Sequence, residues 1–210
     1  MRTLFLLIAV SILSIRSAEA DESQFATIKL PHQIQVELPK SWRLIGADFN
    51  AVIDTSAQAA LDMSGIETPA NKDVDLIAAN STPASTYASV RLSYSTPPMG
   101  SPETLKAAAP AEVKALDSEI ETKFKLVLAQ QGLLLLDYIG TTVEDFDGHP
   151  TLVIQYRRSG PKGPVLVWVY QVFLKEATVK MTLSYRESEA VIWKPVIQKI
   201  KTSFKCPIDA

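Results

Sequence analysis

At 210 residues, with 47% hydrophobic residues and a formal net charge of −2 from 21 Lys and Arg against 23 Asp and Glu, the chain has the size and composition of one globular domain. The near-balanced charge excludes the basic excess by which a dedicated nucleic-acid binder displaces counterions from phosphates. Two histidines and one cysteine, Cys206, exclude an internal disulfide and any multi-histidine or thiolate zinc site within one chain.

The chain opens on a targeting pattern. Arg2 gives a short positive segment, Leu4 to Ile15 an apolar stretch, and Ala18-Glu19-Ala20 the small-x-small triplet that signal peptidase accepts. This predicts a signal peptide over residues 1–20 and a single domain over residues 21–210, exported to the periplasm or secreted. The apolar stretch falls short of the roughly 20 residues a helix needs to cross a bilayer, so no transmembrane anchor is expected after cleavage.

Ile34, Val36 and Leu38 alternate with polar residues and predict a half-buried strand that stops before Pro39, with Trp42 anchored in the core. Residues 51–63 lean helical through their alanines, and Thr68 to Asn71 read as a loop. Asp75 to Asn80 and Tyr87 to Ser95 predict two antiparallel strands. In the second, Tyr87, Ser89, Arg91 and Ser93 face one way and Ala88, Val90, Leu92 and Tyr94 the other.

Ser101 is placed to cap a helix with Pro102 at its first position. Pro110 predicts a break, followed by a helix from about Ala111 to Gln131 that buries Val113, Leu116, Ile120, Phe124, Val127 and Leu128 and stops at Gly132. A meander follows: Leu133 to Glu144, Thr151 to Arg158, Val165 to Leu174 and Thr178 to Tyr185, with a tight turn of positive φ at Asp147-Gly148. A last helix, capped by Ser188, buries Ile192, Val196 and Ile200, with Pro195 in its second turn. Cys206 then lies on a loose tail.

Chemistry-bearing groups are few. The sequence has no Gly-x-Ser-x-Gly, no His-Glu-x-x-His, no phosphate loop and no Cys-x-x-Cys. Asp145, Asp147 and His149, with Glu144, cluster at the predicted turn and form a candidate cation group without the spacing of an EF-hand. Arg157, Arg158 and Lys162 surround a Gly-Pro loop and form a candidate site for a phosphate or carboxylate. Neighbouring strand residues point to opposite faces, so Arg157 and Arg158 share one pocket only through a bulge. Trp168, among apolar neighbours, is expected in the core.

The order of elements makes the fold class α+β with a mainly antiparallel sheet. Four features carry a resemblance: Leu38-Pro39-Lys40-Ser41-Trp42 after the opening strand, the long middle helix, the turn Asp147-Gly148-His149-Pro150, and the closing Ile200-Lys201-Thr202-Ser203-Phe204. Together they resemble the family shared by the photosystem II extrinsic protein PsbP, a Ran-binding nuclear import factor and bacterial DcrB, and the resemblance implies a PsbP-like α/β/α sandwich. The resemblance spans most of residues 27–205 and is weakest from Ile45 to Asn80. It implies a non-enzymatic binding or assembly module with no catalytic residues to carry over, and function does not transfer with the fold. The expected function is a cell-envelope accessory protein, without a cofactor, that binds a protein partner. The alternative is a carrier of a small apolar or amphipathic ligand held between helix and sheet near Leu133 to Leu136. A hydrolase using Asp145, Asp147 and His149 ranks third.

Overall fold

The computed structural model describes residues 24–45 and 74–207. The signal-peptide pattern, the helical lean of residues 51–63 and the loop expected at Thr68 to Asn71 lie outside them.

Seven strands form one antiparallel sheet in the order β3-β4-β5-β9-β8-β7-β6. They are β3 (Arg43–Leu44), β4 (Val74–Asn80), β5 (Ala88–Ser95), β6 (Leu135–Phe146), β7 (His149–Arg158), β8 (Val165–Phe173) and β9 (Thr178–Arg186). The meander β6 to β9 follows chain order, as short turns require. Asp147 (φ 55) and Gly148 (φ 84) take the positive φ that the β6–β7 turn needs. β6 pairs with β7 through two register breaks, at Leu135/Asp137 and Tyr138/Gly140. A separate hairpin that the sequence pattern does not reveal joins β1 (Phe25–Lys29) to β2 (Gln35–Pro39). Its Gln35 bridges Lys205 near the other end of the chain.

Period-two alternation gives the sheet two faces. On one, Val90 and Leu92 of β5, Met181 and Leu183 of β9 and Val172 of β8 are fully buried against Ile34, Val36 of β2 and the last helix, α4 (Ala190–Ser203). Trp42 meets Trp193 edge-on at 5.9 Å. On the other face, Leu152, Ile154, Val167 and Val169 pack under Val113 and Leu128. The layer over them comprises α1 (Pro102–Ala107), α2 (Pro110–Ala115) and α3 (Asp117–Gln130). The result is the predicted α/β/α sandwich.

Ser101 caps α1 by accepting from Thr104 N at 3.2 Å, and Pro110 opens α2 after an extended Ala108-Ala109, as expected. The helix read as continuous to Gln131 breaks once more at Leu116, which is 41% exposed rather than buried. The cause is tertiary. Asp117 turns its buried carboxylate toward β6, where Oδ1 accepts from Thr141 N at 3.0 Å and from the Tyr138 hydroxyl, while Oδ2 pairs with Lys114. Burial pushes the Asp117 carboxyl up, but the Lys114 and Thr141 hydrogen bonds outweigh it and hold the group below its ordinary value.

α4 meets expectation at Ile200, which is buried, and at Val196, which packs against the core, but not at Ile192. Trp193, Ile197 and Ile200 are buried, whereas Ile192 is 55% and Val191 93% exposed. Ser188 is no cap. It lies in the turn Glu187–Glu189 before the helix, and Glu189 fixes the start by accepting from Trp193 Nε1 at 3.1 Å and from Tyr87 N at 2.8 Å. Pro195 is carried inside the helix.

Each helical layer covers only part of its face. α4 packs on β9 and β2, and α1 to α3 pack on β6 and β7. Among the described residues nothing covers the β6–β8 half of one face or the β5–β9 half of the other, and the two halves lie diagonally across the sheet.

Candidate functional site

The open half on the α3 face is a groove of about 580 Å³. Its floor is polar because the outward residues of β5 and β9 are directly paired: Ser89 with Ser184, Arg91 with Thr182, Ser93 with Lys180. Arg158, at the end of β7, donates from Nη2 to Tyr87 Oη at 2.8 Å and from Nη1 to the Ser159 carbonyl at 2.9 Å. Ser89 and Ser184 share a hydrogen bond of 2.8 Å, and Ser184 Oγ donates to Tyr87 Oη at 3.4 Å. Burial pushes the Tyr87 phenol up, but the charge of Arg158 and the hydrogen bonds from Ser184, Ser89 and Arg158 outweigh it and hold the phenol below its ordinary value. Tyr156, buried beside it, is pushed up to about 12. The facing wall is apolar and includes Phe124, Val127 and Leu133.

The open half on the α4 face is a cleft of about 430 Å³. Trp168, Tyr170 and Tyr185 form its floor, Ile139 to Thr142 and Glu144 of β6 one wall, and Lys194, Ile197, Gln198 and Lys201 of α4 the other. Trp168 is half-buried beside Tyr185, with ring centroids 5.5 Å apart; it packs against the core, as expected, and also lines the cleft. Its even-numbered strand position faces the half that α4 leaves bare. Lys201 Nζ lies 3.1 Å from Glu144 Oε2 and 4.9 Å from the Tyr170 ring centroid. Burial, with the Glu144 charge adding to it, raises the Tyr170 phenol.

The three predicted basic residues are not brought together. Arg157 is held by Glu187 in a two-point ion pair, Nε to Oε1 at 2.7 Å and Nη2 to Oε2 at 2.8 Å. Arg158 points the other way, into the groove, and Lys162 is exposed in the β7–β8 loop and lines neither opening. The groove's other residues are not singled out by any sequence motif. The signal is present in the paired polar stripes Ser89-x-Arg91-x-Ser93 and Lys180-x-Thr182-x-Ser184, each on a strand with a wholly apolar opposite face.

The acidic turn closes on the chain's own tail. Asp145 Oδ1 accepts from Gly148 N at 3.1 Å, Asp147 pairs with Lys205 at 2.7 Å and accepts from Cys206 N at 2.9 Å, and buried His149 places Nε2 3.4 Å from the Cys206 carbonyl. Among the described residues no three His, Cys, Asp or Glu side chains are arranged to hold a metal ion. Glu144 pairs instead with Lys201.

Cys206 is therefore no idle thiol on a loose tail. It is 6% exposed, it joins the core, and burial with the nearby Asp147 charge pushes its thiol up to about 12. At pH 8 the native thiol is expected to react with maleimide more slowly than the urea-unfolded thiol by roughly two orders of magnitude or more. Rapid stoichiometric labelling of the native protein would contradict this burial.

The alternating leucines also separate. Leu133 and Leu135 pack toward α3, and Leu134 and Leu136 are 65% and 46% exposed.

No known family profile matches the chain, and no curated protein matches it. Solved structures do. The solution structure of cyanobacterial PsbP (CyanoP) from Synechocystis sp. PCC 6803 is similar with a TM-score of 0.55 at 12% identity, covering 90% of this chain and 95% of that one. LpqN of Mycobacterium tuberculosis, described as involved in cell envelope biogenesis, gives a TM-score of 0.47 at 11% identity over 88% of this chain and 91% of that one. PA94 of Pseudomonas aeruginosa, of unknown function, gives 0.39 at 14% over 88% and 97%. With its seven-stranded antiparallel sheet between two helical layers, the chain has the PsbP-like α/β/α sandwich fold.

Proposed function

We propose that the protein is an exported, non-enzymatic accessory protein of the cell envelope that docks an acidic, extended segment of a protein partner in the cleft between α4 and β6 to β8. The observation that carries this reading is an aromatic floor under a lysine rim. Trp168 and Tyr185 lie at the bottom, and Lys114, Lys194 and Lys201 surround them; Lys114 pairs with Asp117 and Lys201 with Glu144, so the net positive charge of the rim rests on Lys194. Tyrosine and tryptophan in a partly desolvated depression supply large contact area at low entropic cost, and a net positive rim favours the opposite charge in the partner. Exposed Ile139, together with Val191 one turn before Lys194 on α4, extends the apolar surface past the rim. Export is supported by the apolar stretch Leu4 to Ile15 and the Ala18-Glu19-Ala20 triplet. No helix among the described residues is long and apolar enough to cross a membrane.

The test places a photo-reactive residue at Lys194 in one strain of the native host and at Lys29, on β1, in another. A defined envelope protein is expected to be captured from position 194 alone, with the cross-link in an acidic stretch. Trp168→Ala is expected to weaken binding of that stretch by about 30-fold, as loss of a central aromatic anchor does. Equal capture from both positions, or undiminished binding by a Trp168→Ala variant with an unchanged circular dichroism spectrum, would overturn the reading.

A further inference from the structure

We propose that the groove on the α3 face is a binding site for a small amphipathic organic anion, its carboxylate or phosphate head held by Arg158 and Arg91 and its apolar body laid along α3. The inference does not depend on the docking reading, because groove and cleft lie on opposite faces of the sheet.

The two walls differ in kind. The floor strands present Arg91, Arg158 and Lys180 with four serine and threonine hydroxyls between them, and Asp75 is the one carboxylate among the lining residues. The helix side presents Phe124, Val127 and Leu133. A free inorganic anion would use only the first wall and a neutral hydrocarbon only the second.

Arg158 is also pre-set for the task. Its contacts to Tyr87 Oη and the Ser159 carbonyl fix the plane of the guanidinium. A guanidinium carries five N–H donors, so the fork still has donors for a carboxylate or phosphate. An ordered arginine loses less entropy on binding than a mobile one.

A second, independent observation lies at the other end of the groove. Ser93, opposite Asp75 across the β4–β5 pair, is 5% exposed and lines the groove, and its Oγ has no hydrogen-bond partner among the described residues. Buried hydroxyls are rarely left unsatisfied, and an unexplained one on the wall of a groove points to a group that arrives from outside. The volume of about 580 Å³ falls within the roughly 300–1,000 Å³ typical of small-molecule sites.

The experiment is calorimetric titration of the full mature chain with four probes: decanoate, decyl phosphate, decanol and inorganic phosphate. Decanoate or decyl phosphate is expected to bind, with decanol and inorganic phosphate each at least tenfold weaker. Arg158→Gln and, separately, Arg91→Gln are expected to lose at least tenfold for the bound anion. Lys162→Ala, in the loop outside the groove, should bind as the parent does. Preference for decyl phosphate over decanoate would identify a phosphate head, and the reverse a carboxylate. Absence of binding by both decyl anions, decanol binding as tightly as they do, inorganic phosphate binding as tightly as decyl phosphate, or retention of affinity in both arginine variants would overturn the proposal. Arg91→Gln guards against the chance that Arg158→Gln fails to fold. Loss of anion binding with partner capture intact, or the converse, separates this proposal from the docking reading.

Discussion

Phe204→Ala is expected to destabilise the protein by about 3–5 kcal/mol, the cost of removing a fully buried phenyl ring and leaving a cavity. Phe204 is 1% exposed and stacks on Phe146 at 5.0 Å with the planes 7° apart, and Phe146 in turn stacks on Tyr170 at 5.2 Å. The ring thus joins the chain after α4 to the β6–β7 turn and to the middle of the sheet. In urea the midpoint should fall by about 2 M with an unchanged slope, since a small domain loses roughly 1–3 kcal/mol per molar urea. A loss below 1 kcal/mol would mean that the stack contributes little and that the tail is held by the Gln35–Lys205 bridge and the Asp147 and His149 contacts. Cys206 offers an independent probe of the same event, because its maleimide labelling should accelerate as the segment behind Phe204 loosens.

Glu189→Ala is expected to cost about 3 kcal/mol, the lower end of the penalty for removing one member of a mostly buried charged pair while the other remains. Glu189 Oε2 accepts from the Tyr87 amide and the Trp193 indole, and Oε1 pairs with Arg186, whose guanidinium also reaches the Ser85 carbonyl at 3.2 Å. The Arg186 and Glu189 side chains are only 11% and 16% exposed. Without the carboxylate, an amide, an indole N–H and a guanidinium lose their acceptor together. Glu189→Gln keeps an oxygen for the neutral donors and should cost about 1 kcal/mol, in the range of an ordinary hydrogen bond. Denaturant unfolding followed by Trp193 emission measures both variants, and an alanine variant within 0.5 kcal/mol of the parent would show that water replaces the carboxylate.

Local regularity was legible in the sequence. The alternation of Val179, Met181, Leu183 and Tyr185, the Ser101-Pro102 start and the Asp147-Gly148 turn each depend on interactions within a few residues, and each appears as predicted. Features that depend on a distant partner were not legible. Both Ile192-Val196-Ile200 and Trp193-Ile197-Ile200 satisfy a helical period, and the choice between them rests on Glu189, which is set by the amide of Tyr87. The break at Leu116 is imposed by a strand that begins at residue 135. The candidate site shows the same division. That Arg157 and Arg158 face opposite ways is dictated by strand period, whereas which half of the sheet the helices leave open requires the helices in place. Cys206 looked peripheral because nothing near it in sequence shows that Phe204 and Asp147 draw it inward.

The broken register of β6 bears on how the sheet ends. A strand with one flank unpaired is a template on which another copy of the chain can add itself, and the described sheet has two such flanks. One is β3, only two residues long. The other is β6, twelve residues long with Leu136 exposed, where the register breaks around residues 136 and 139 interrupt the row of amides and carbonyls. Beyond Gly140 an uninterrupted stretch remains from Thr141 to Phe146, and it carries Glu144 and Asp145. Antiparallel addition of a second copy there would set carboxylates against carboxylates. Growth by strand addition at the β6 flank is thus hindered by irregularity and charge, and Leu136 can stay in water without nucleating a fibre.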